Sequence, residues 1–342
     1  MFFDERRKSE SPSPRRLTTG GEATLQSISP TDSRRGPRPD RREFCTALAL
    51  TLTAAAGLLA PDAMIGRAFA QAPERIVASG GVITEVVYAL GQQDKLVGVD
   101  STSQFPAQAL KDKANIGYVR ALSAEGILSL KPTSVIAIEG SGPPGVVALV
   151  KEAGVRLDYV TDDTSPDGVV GKIEQIGKLV GAPEPAKALA ARTRAGFRQI
   201  ARLREALPAK RRVLFVLSLQ NGRTMVGGRN STADAIIKLA GGVNVADAIE
   251  GFKPMGDEAI MAAAPDVVVM MDNGGSHQTS PEQLFALPAF SQTPAAARRS
   301  LVAMNGLYLL GFGPRTPAAA RDLMAAIYPD AKIAPLDAGT PQ

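Results

Sequence analysis

The chain has no tryptophan, one cysteine and one histidine in 342 residues, and only 5% of it is aromatic. Structural zinc sites and haem-attachment motifs draw their ligands from clusters of Cys and His, and one of each makes no cluster. A metal met by this chain is therefore met mainly through oxygen. A disulfide framework is excluded on the same grounds. Also missing are the Gly-x-Ser-x-Gly elbow of serine hydrolases and the Gly-x4-Gly-Lys loop that cradles nucleotide phosphates, so an enzyme is the weakest reading. What remains is ordinary globular composition, 44% hydrophobic and 21% charged, at a length that accommodates two domains.

The first 70 residues read as processing signal rather than fold. Residues 4–43 are rich in Arg, Ser, Pro, Asp and Gly without apolar period, and Arg41-Arg42-Glu43-Phe44 then opens an Ala-, Leu- and Thr-rich run to Ala60. That run is too short and too weakly apolar for a stable membrane span, and Ala68-Phe69-Ala70 fits the small-x-small pattern of a signal-peptidase site. In order, these parts resemble a twin-arginine export signal cleaved after Ala70; a disordered basic tail with a chance apolar patch is the plainer alternative. The expected destination is the periplasm, by the twin-arginine or the general secretory route.

Residues 1–70 hold 11 of the 39 Lys and Arg and 8 of the 34 Asp and Glu, which leaves 28 basic against 26 acidic groups, a net charge of +2. The isoelectric point of about 9.3 is thus partly a property of the leader, and the mature chain makes no case for nucleic-acid binding. Cys45 leaves with the leader and has the wrong neighbours for a lipoprotein anchor, so no stable membrane anchor is expected.

From residue 71 the pattern alternates. Strands are predicted at 75–78, 96–99, 134–138 and 156–160, with helices at 82–90 and 146–153. Leu189, Thr193, Phe197, Ile200, Leu203 and Leu207 then fall at helical spacing, predicting one helix over 184–207 of roughly 33 Å. Alternation restarts with strands at 212–218, 266–271 and 307–310 and helices at 231–239, 257–263 and 317–328. The expected fold class is α/β: two similar α/β lobes, 71–182 and 209–342, with mostly parallel central sheets, joined by one long backbone α-helix within 183–208.

One detail exceeds propensity. Glu125 is followed seven residues later by Pro132 and then an apolar strand; Glu258 is followed seven residues later by Pro265 and then Val-Val-Val-Met. Ser123 reads as the N-cap of the first helix, Glu125 lies in its positive first turn, and Ile127, Leu128 and Leu130 supply its apolar face. A preference of Glu for first turns explains either carboxylate alone but not their shared register. Just before the first unit stands Gly117-Tyr118-Val119-Arg120; on an extended backbone the phenol and the guanidinium leave the same face.

Two lobes, a long connecting helix, the paired Glu-x6-Pro-strand units and the Gly-Tyr-Val-Arg stretch together resemble the substrate-binding proteins of ABC importers for haem, cobalamin and ferric siderophores. Among these, the periplasmic haem-binding proteins are most similar. Residues 226–235 and 309–317 match as well, and the likeness covers 74–328.

The resemblance implies that the cargo is haem (ferric protoporphyrin IX), with cobalamin or a ferric siderophore as the alternative. It implies Tyr118 as iron ligand, since a tyrosinate oxygen suits a hard ferric ion; otherwise Tyr118 is a rim aromatic. Arg120, Arg223, Arg229 and Arg315 are candidates for the propionates, although Arg315 reads equally as a structural hydrogen-bonder. Met225, Phe252 and Met255 would pack on the porphyrin or sit in the core. Some family members add a histidine near the end of the second lobe's first strand, where this chain has Ser218-Leu219-Gln220-Asn221-Gly222; its one histidine, His277, lies in a later loop, within reach of iron or a propionate, or simply exposed. Finally, Glu125 and Glu258 are implied to meet arginines on the two subunits of an ABC importer permease dimer driven by its ATPase, the carrier itself being a monomer.

Overall fold

Two β-sheets, one in each half of the chain, form the frame in the computed structural model, which describes residues 73–220, 223–272 and 279–342. The export signal, the Arg41-Arg42 pair and Cys45 lie outside the described residues, as do Asn221, Gly222 and His277.

In the first lobe the strands are β1 (Ile76–Ser79), β2 (Leu96–Val99), β3 (Ala114–Asn115), the hairpin β4 (Gly117–Tyr118) and β5 (Ala121–Leu122), then β6 (Ser134–Ile138) and β7 (Arg156–Val160). The sheet runs β3-β2-β1-β6-β7, parallel throughout. Its helices are α1 (Gly81–Ala89), α2 (Ala109–Asp112), α3 (Ala124–Ser129), α4 (Pro144–Glu152) and α5 (Pro166–Leu179). The long helix follows as α6 (Pro183–Glu205), 23 residues and about 35 Å. Pro183 opens it where no N–H is needed, and Arg202 and Arg204 face the negative end of its dipole.

The second lobe contains β8 (Arg212–Gln220), β9 (Arg223–Gly227), β10 (Val243–Asn244), β11 (Phe252–Met255), β12 (Val267–Asp272) and β13 (Leu301–Asn305). Its sheet runs β11-β9-β8-β12-β13, with β10 beside the start of β8. The β8, β12, β13 and β10 pairings are parallel, whereas β9 and β11 are antiparallel additions. Helices α7 (Thr232–Leu239), α8 (Asp257–Ala263), α9 (Pro281–Phe285), α10 (Pro288–Ser291), α11 (Pro294–Arg298), α12 (Gly306–Leu310) and α13 (Thr316–Ile327) complete it.

The two-lobe α/β class is as expected, with one local correction. The run predicted as a strand at 307–310 is α12, and the strand is β13 just before it. Asn305 decides this: its side chain accepts the backbone N–H of Tyr308 at 3.0 Å, an N-cap that turns four apolar residues into a helix.

Strand periodicity sorts the core. Ile76, Ala78, Ile136 and Ile138 face one cluster, while Val77, Val135 and Ala137 face another with Ile116, Leu122, Ile127 and Val150. In the second lobe Val213, Phe215, Val267 and Val269 point into the same cluster as Ile76, and Leu214, Val216 and Val268 point away from it. That shared cluster includes Leu189, Phe197 and Ile200 of the long helix and Leu323 and Ile327 of α13. The lobes therefore have a common core and a separate outer core each.

The repeated units match in a way that the sequence spacing does not reveal. Just beyond α3, Lys131 has φ 48°, and just beyond α8, Ala264 has φ 39°. Each residue precedes a proline, which bars it from the right-handed helical region; here each takes the left-handed one, at a cost of roughly 1 kcal/mol. In both lobes an arginine at the start of the first sheet strand closes the helix. Arg75 donates from Nη2 and Nε to Leu130 O at 2.6 and 3.3 Å and from Nε to Lys131 O at 3.1 Å. Arg212 donates from Nη2 and Nε to Ala263 O at 2.6 and 3.1 Å and from Nε to Ala264 O at 3.3 Å. The orphan carbonyls of both helix ends thus receive the same charged partner.

Candidate ligand-binding site

In parallel α/β sheets, ligand groups gather beyond the carboxyl ends of the strands. On the first lobe that edge bears the β4–β5 hairpin, seated by Ile116 N on Val99 O at 3.0 Å and Ser101 N on Gly117 O at 2.8 Å. Gly117 makes the entry turn with φ 97°, where a Cβ would stand 3.0 Å from Ala121 O. Tyr118 pairs with Ala121, so Val119 and Arg120 are the two turn residues. The expected extended run from Tyr118 to Arg120 is therefore a tight turn, and the two side chains do not share a strand face. Val119 is buried and fastened by Gly142 N on its carbonyl at 3.0 Å, while Tyr118 stands 53% exposed. A half-exposed phenol on a pinned hairpin is a rigid, accessible oxygen donor.

Arg120 bends back over the end of β6, where Nη1 donates to Glu139 O at 3.1 Å. Gly140 makes room for it, since a Cβ there would fall on the guanidinium. Most of the guanidinium's donors remain for another partner. Beside it, Glu139 Oε2 accepts the N–H of Asp162 at 3.2 Å, and Asp162 Oδ1 lies 3.9 Å from the Lys172 ammonium. Burial pushes the Asp162 carboxyl up, against the pull of Lys172 and Arg120; burial brings the Lys172 ammonium down, against Asp162. Neither Asp162 nor Lys172 was singled out from sequence. The signal for Lys172 was present, because it lies on the stripe of α5 formed by Val169, Ile173 and Ile176, an apolar face that a lysine interrupts.

On the second lobe, Arg223 opens β9 opposite Gln220, at the carboxyl end of β8. Met225 pairs with Ser218 and Met255 with Thr224, so both lie in the same half of the sheet. Phe252 and Arg229 do not. Phe252 pairs with Gly227 and meets the edge of Phe215 at 6.2 Å, about 10 Å along the strand from Met255. Arg229 is ion-paired with Glu250 at 3.2 Å. The predicted set thus divides into Arg223, Met225 and Met255 near the edge and Phe252 and Arg229 away from it. The carboxyl-end edges of the two sheets meet where Asn305 Nδ2 donates to Gln104 Oε1 at 3.4 Å.

Arg315 lies in the seam between the lobes. Its Nη2 donates to Glu85 Oε2 at 2.9 Å, with both side chains largely buried, and its guanidinium stacks 3.5 Å from the Phe105 ring. A hollow of about 390 Å³ adjoins this pair, lined also by Tyr88, Leu189 and Arg192. Glu125 and Glu258 are exposed in the first turns of α3 and α8, each at the start of its repeated unit. Ser123 caps α3 by accepting Gly126 N at 3.0 Å, as its sequence pattern predicts.

Two lobes on a shared core, touching at Asn305 and Gln104 beyond their strands' carboxyl ends and each bearing polar side chains there, have the architecture of a two-lobe binding protein. The chain belongs to the periplasmic binding protein family, whose model matches residues 76–306; that family is one of carriers rather than a class of enzymes. Among solved structures it is similar to the periplasmic heme-binding protein RhuT from Roseiflexus sp. RS-1 in apo form, with 41% identity, TM-score 0.70, and 75% of this chain and 98% of that one covered. It is likewise similar to a periplasmic heme-binding protein from Pseudomonas aeruginosa, with 36% identity, TM-score 0.68, and 78% and 96% covered. The cobalamin-binding protein of Halobacterium salinarum is 27% identical over 79% of each chain. No helix among the described residues is long and apolar enough to cross a membrane.

Proposed function

We propose that this protein captures ferric haem between its lobes in the periplasm and delivers it to an ABC importer. The observation that carries the reading is Tyr118: an exposed phenol on a hairpin fixed at the carboxyl-end edge, in a chain 36–41% identical to structures described as heme-binding. Tyr118 supplies the axial oxygen to iron, and Arg120 and Arg223, one on each rim, take the propionates. Met225 and Met255 contribute soft apolar surface to the porphyrin. Phe252, Arg229 and Arg315 are left to the fold, because each already has a partner away from that edge or inside the seam.

Export by the twin-arginine route brings the carrier, as a monomer, to its permease dimer, and ATP hydrolysis at the associated ATPase drives uptake. Glu125 and Glu258, one per lobe, dock on the two permease subunits. A second reading, with cobalamin as cargo, is favoured by the Halobacterium relative. Titrating apoprotein with hemin, vitamin B12 and a ferric siderophore separates these readings. Hemin is expected to bind with a high-spin ferric Soret band, and Tyr118→Ala to weaken it by at least about a hundredfold, more than loss of a group that only hydrogen-bonds to an iron ligand. A Tyr118→Ala variant that keeps the wild-type spectrum and affinity would remove the ligand role; tight vitamin B12 binding without hemin binding would establish the second reading.

A further inference from the structure

Among the largest fully buried side chains of the described residues, Lys172 stands with phenylalanines and isoleucines, and it alone is ionisable. A buried ammonium is costly unless it is paired and hydrogen-bonded, so its retention calls for a reason. Its partners are spread over two lobes: Nζ donates to Phe312 O at 3.3 Å across the seam and lies 3.9 Å from Asp162 Oδ1 on its own side. A methionine would fill the same space without the charge.

The reason lies at the ligand edge. Arg120 leaves that edge with Glu139 and Asp162 beneath it, tied to one another by the bond from Asp162 N to Glu139 Oε2 and to Arg120 through Glu139 O. Glu139, Asp162 and Asp163 all act on Lys172, and Asp162 is in turn subject to Lys172, Arg120 and Glu139. Asp163 is occupied with Ser165, whose N–H and hydroxyl it accepts at 2.8 and 3.1 Å. Asp162 thus has the buried Lys172 ammonium 3.9 Å from its carboxylate, and it shares Glu139 with the exposed Arg120, since Glu139 accepts from Asp162 N at Oε2 and from Arg120 Nη1 at its carbonyl. Without the buried cation, the exposed one becomes its counter-ion.

We infer that Lys172 is a positioning residue for the ligand edge: by neutralising Asp162 from inside the lobe, it leaves the Arg120 guanidinium free for an anionic group of the cargo. The identification of that group as a haem propionate rests on the function proposed above. The bond to Phe312 O adds a mechanical side, because it holds the ammonium in place from the other lobe.

The test compares hemin with its dimethyl ester, which lacks the propionate charges, on Lys172→Met, Asp162→Asn and the double variant. Lys172→Met is expected to lose hemin affinity on the order of tenfold, with the ester changed by less than about twofold. Adding Asp162→Asn to it should restore hemin to within about twofold of wild type, and Asp162→Asn alone should bind hemin at least as tightly as wild type. In crystals of ligand-free Lys172→Met, Arg120 should have moved from Glu139 O to the Asp162 carboxylate. Undiminished hemin affinity in Lys172→Met, equal losses for hemin and ester, or a double variant no better than the single would each overturn the inference. If Lys172→Met does not fold, Asp162→Asn still decides, since that side chain is 41% exposed; weaker hemin binding there overturns it too. A wild-type protein that ignores hemin defeats the haem assignment only, and the position of Arg120 in the Lys172→Met crystals then decides the role of Lys172.

Discussion

The unit running from Glu125 to β6 in the first lobe is built again from Glu258 to β12 in the second, whereas the rims beside the two units are built differently. Within the units, an arginine from the sheet, a left-handed residue and a proline recur in the same places, although the helices between share little sequence. On the rims, the first lobe offers a short hairpin carrying Tyr118 and Arg120, and the second an antiparallel pair, β8 and β9, carrying Arg223. Under the proposed function the difference corresponds to two jobs: the duplicated part fixes where a carboxylate emerges from each lobe, for a two-fold partner, and the unequal part presents different groups to an asymmetric ligand.

The strongest way to break this division is at the carboxylates. Glu125→Lys with Glu258→Lys is expected to leave hemin affinity within about twofold while lowering uptake by a reconstituted importer more than about tenfold, since two salt bridges become repulsions. Unimpaired uptake would remove the docking role; lost hemin binding would place the residues in the ligand site. A smaller effect sharpens the equivalence of the units. Arg75→Ala and Arg212→Ala each remove one guanidinium from two carbonyls, and each should cost about 1–2 kcal/mol in urea unfolding. Losses that differ by more than the measurement error would show that the two closures are alike in geometry but not in energy. The smallest effect has the opposite sign: Lys131→Gly and Ala264→Gly relieve a left-handed backbone and should each stabilise by roughly 0.5 kcal/mol or more, read as a higher urea midpoint.

Much of this organisation was legible in the sequence. The Glu-to-Pro spacing located both units, and the 3.6-residue period of Leu189, Phe197 and Ile200 located the long helix, because both are signals within a short stretch of chain. The closures by Arg75 and Arg212 were not legible, because each arginine lies about fifty residues from the carbonyls it meets. The same limit hid β9 and β11, whose pairing depends on partners rather than on an alternating pattern, and the turn at Val119-Arg120, which a continuous extended reading passes over. Tyr118 stands out as a candidate from its neighbours in sequence, and its exposure on the hairpin agrees with that candidacy. The Glu139, Asp162 and Lys172 group beneath Arg120 was not, since three separate elements bring it together. Sequence leaves Arg315 open between ligand and fold, and its bond to Glu85 is invisible there because the two lie 230 positions apart.

The long helix has one more consequence. Among the described residues the chain passes from the first sheet to the second only once, along α6 and the turn at 206–211, while the central core draws Ile136 from one sheet, Phe215 from the other and Phe197 from the helix between them. The covalent link after the helix is a tether, not a support. In engineering terms it is a breakpoint for a split protein: fragments 73–208 and 209–342, made as separate chains, are expected to reassemble as a one-to-one complex visible by native mass spectrometry. Capture of the proposed haem cargo would then depend on bringing two halves together.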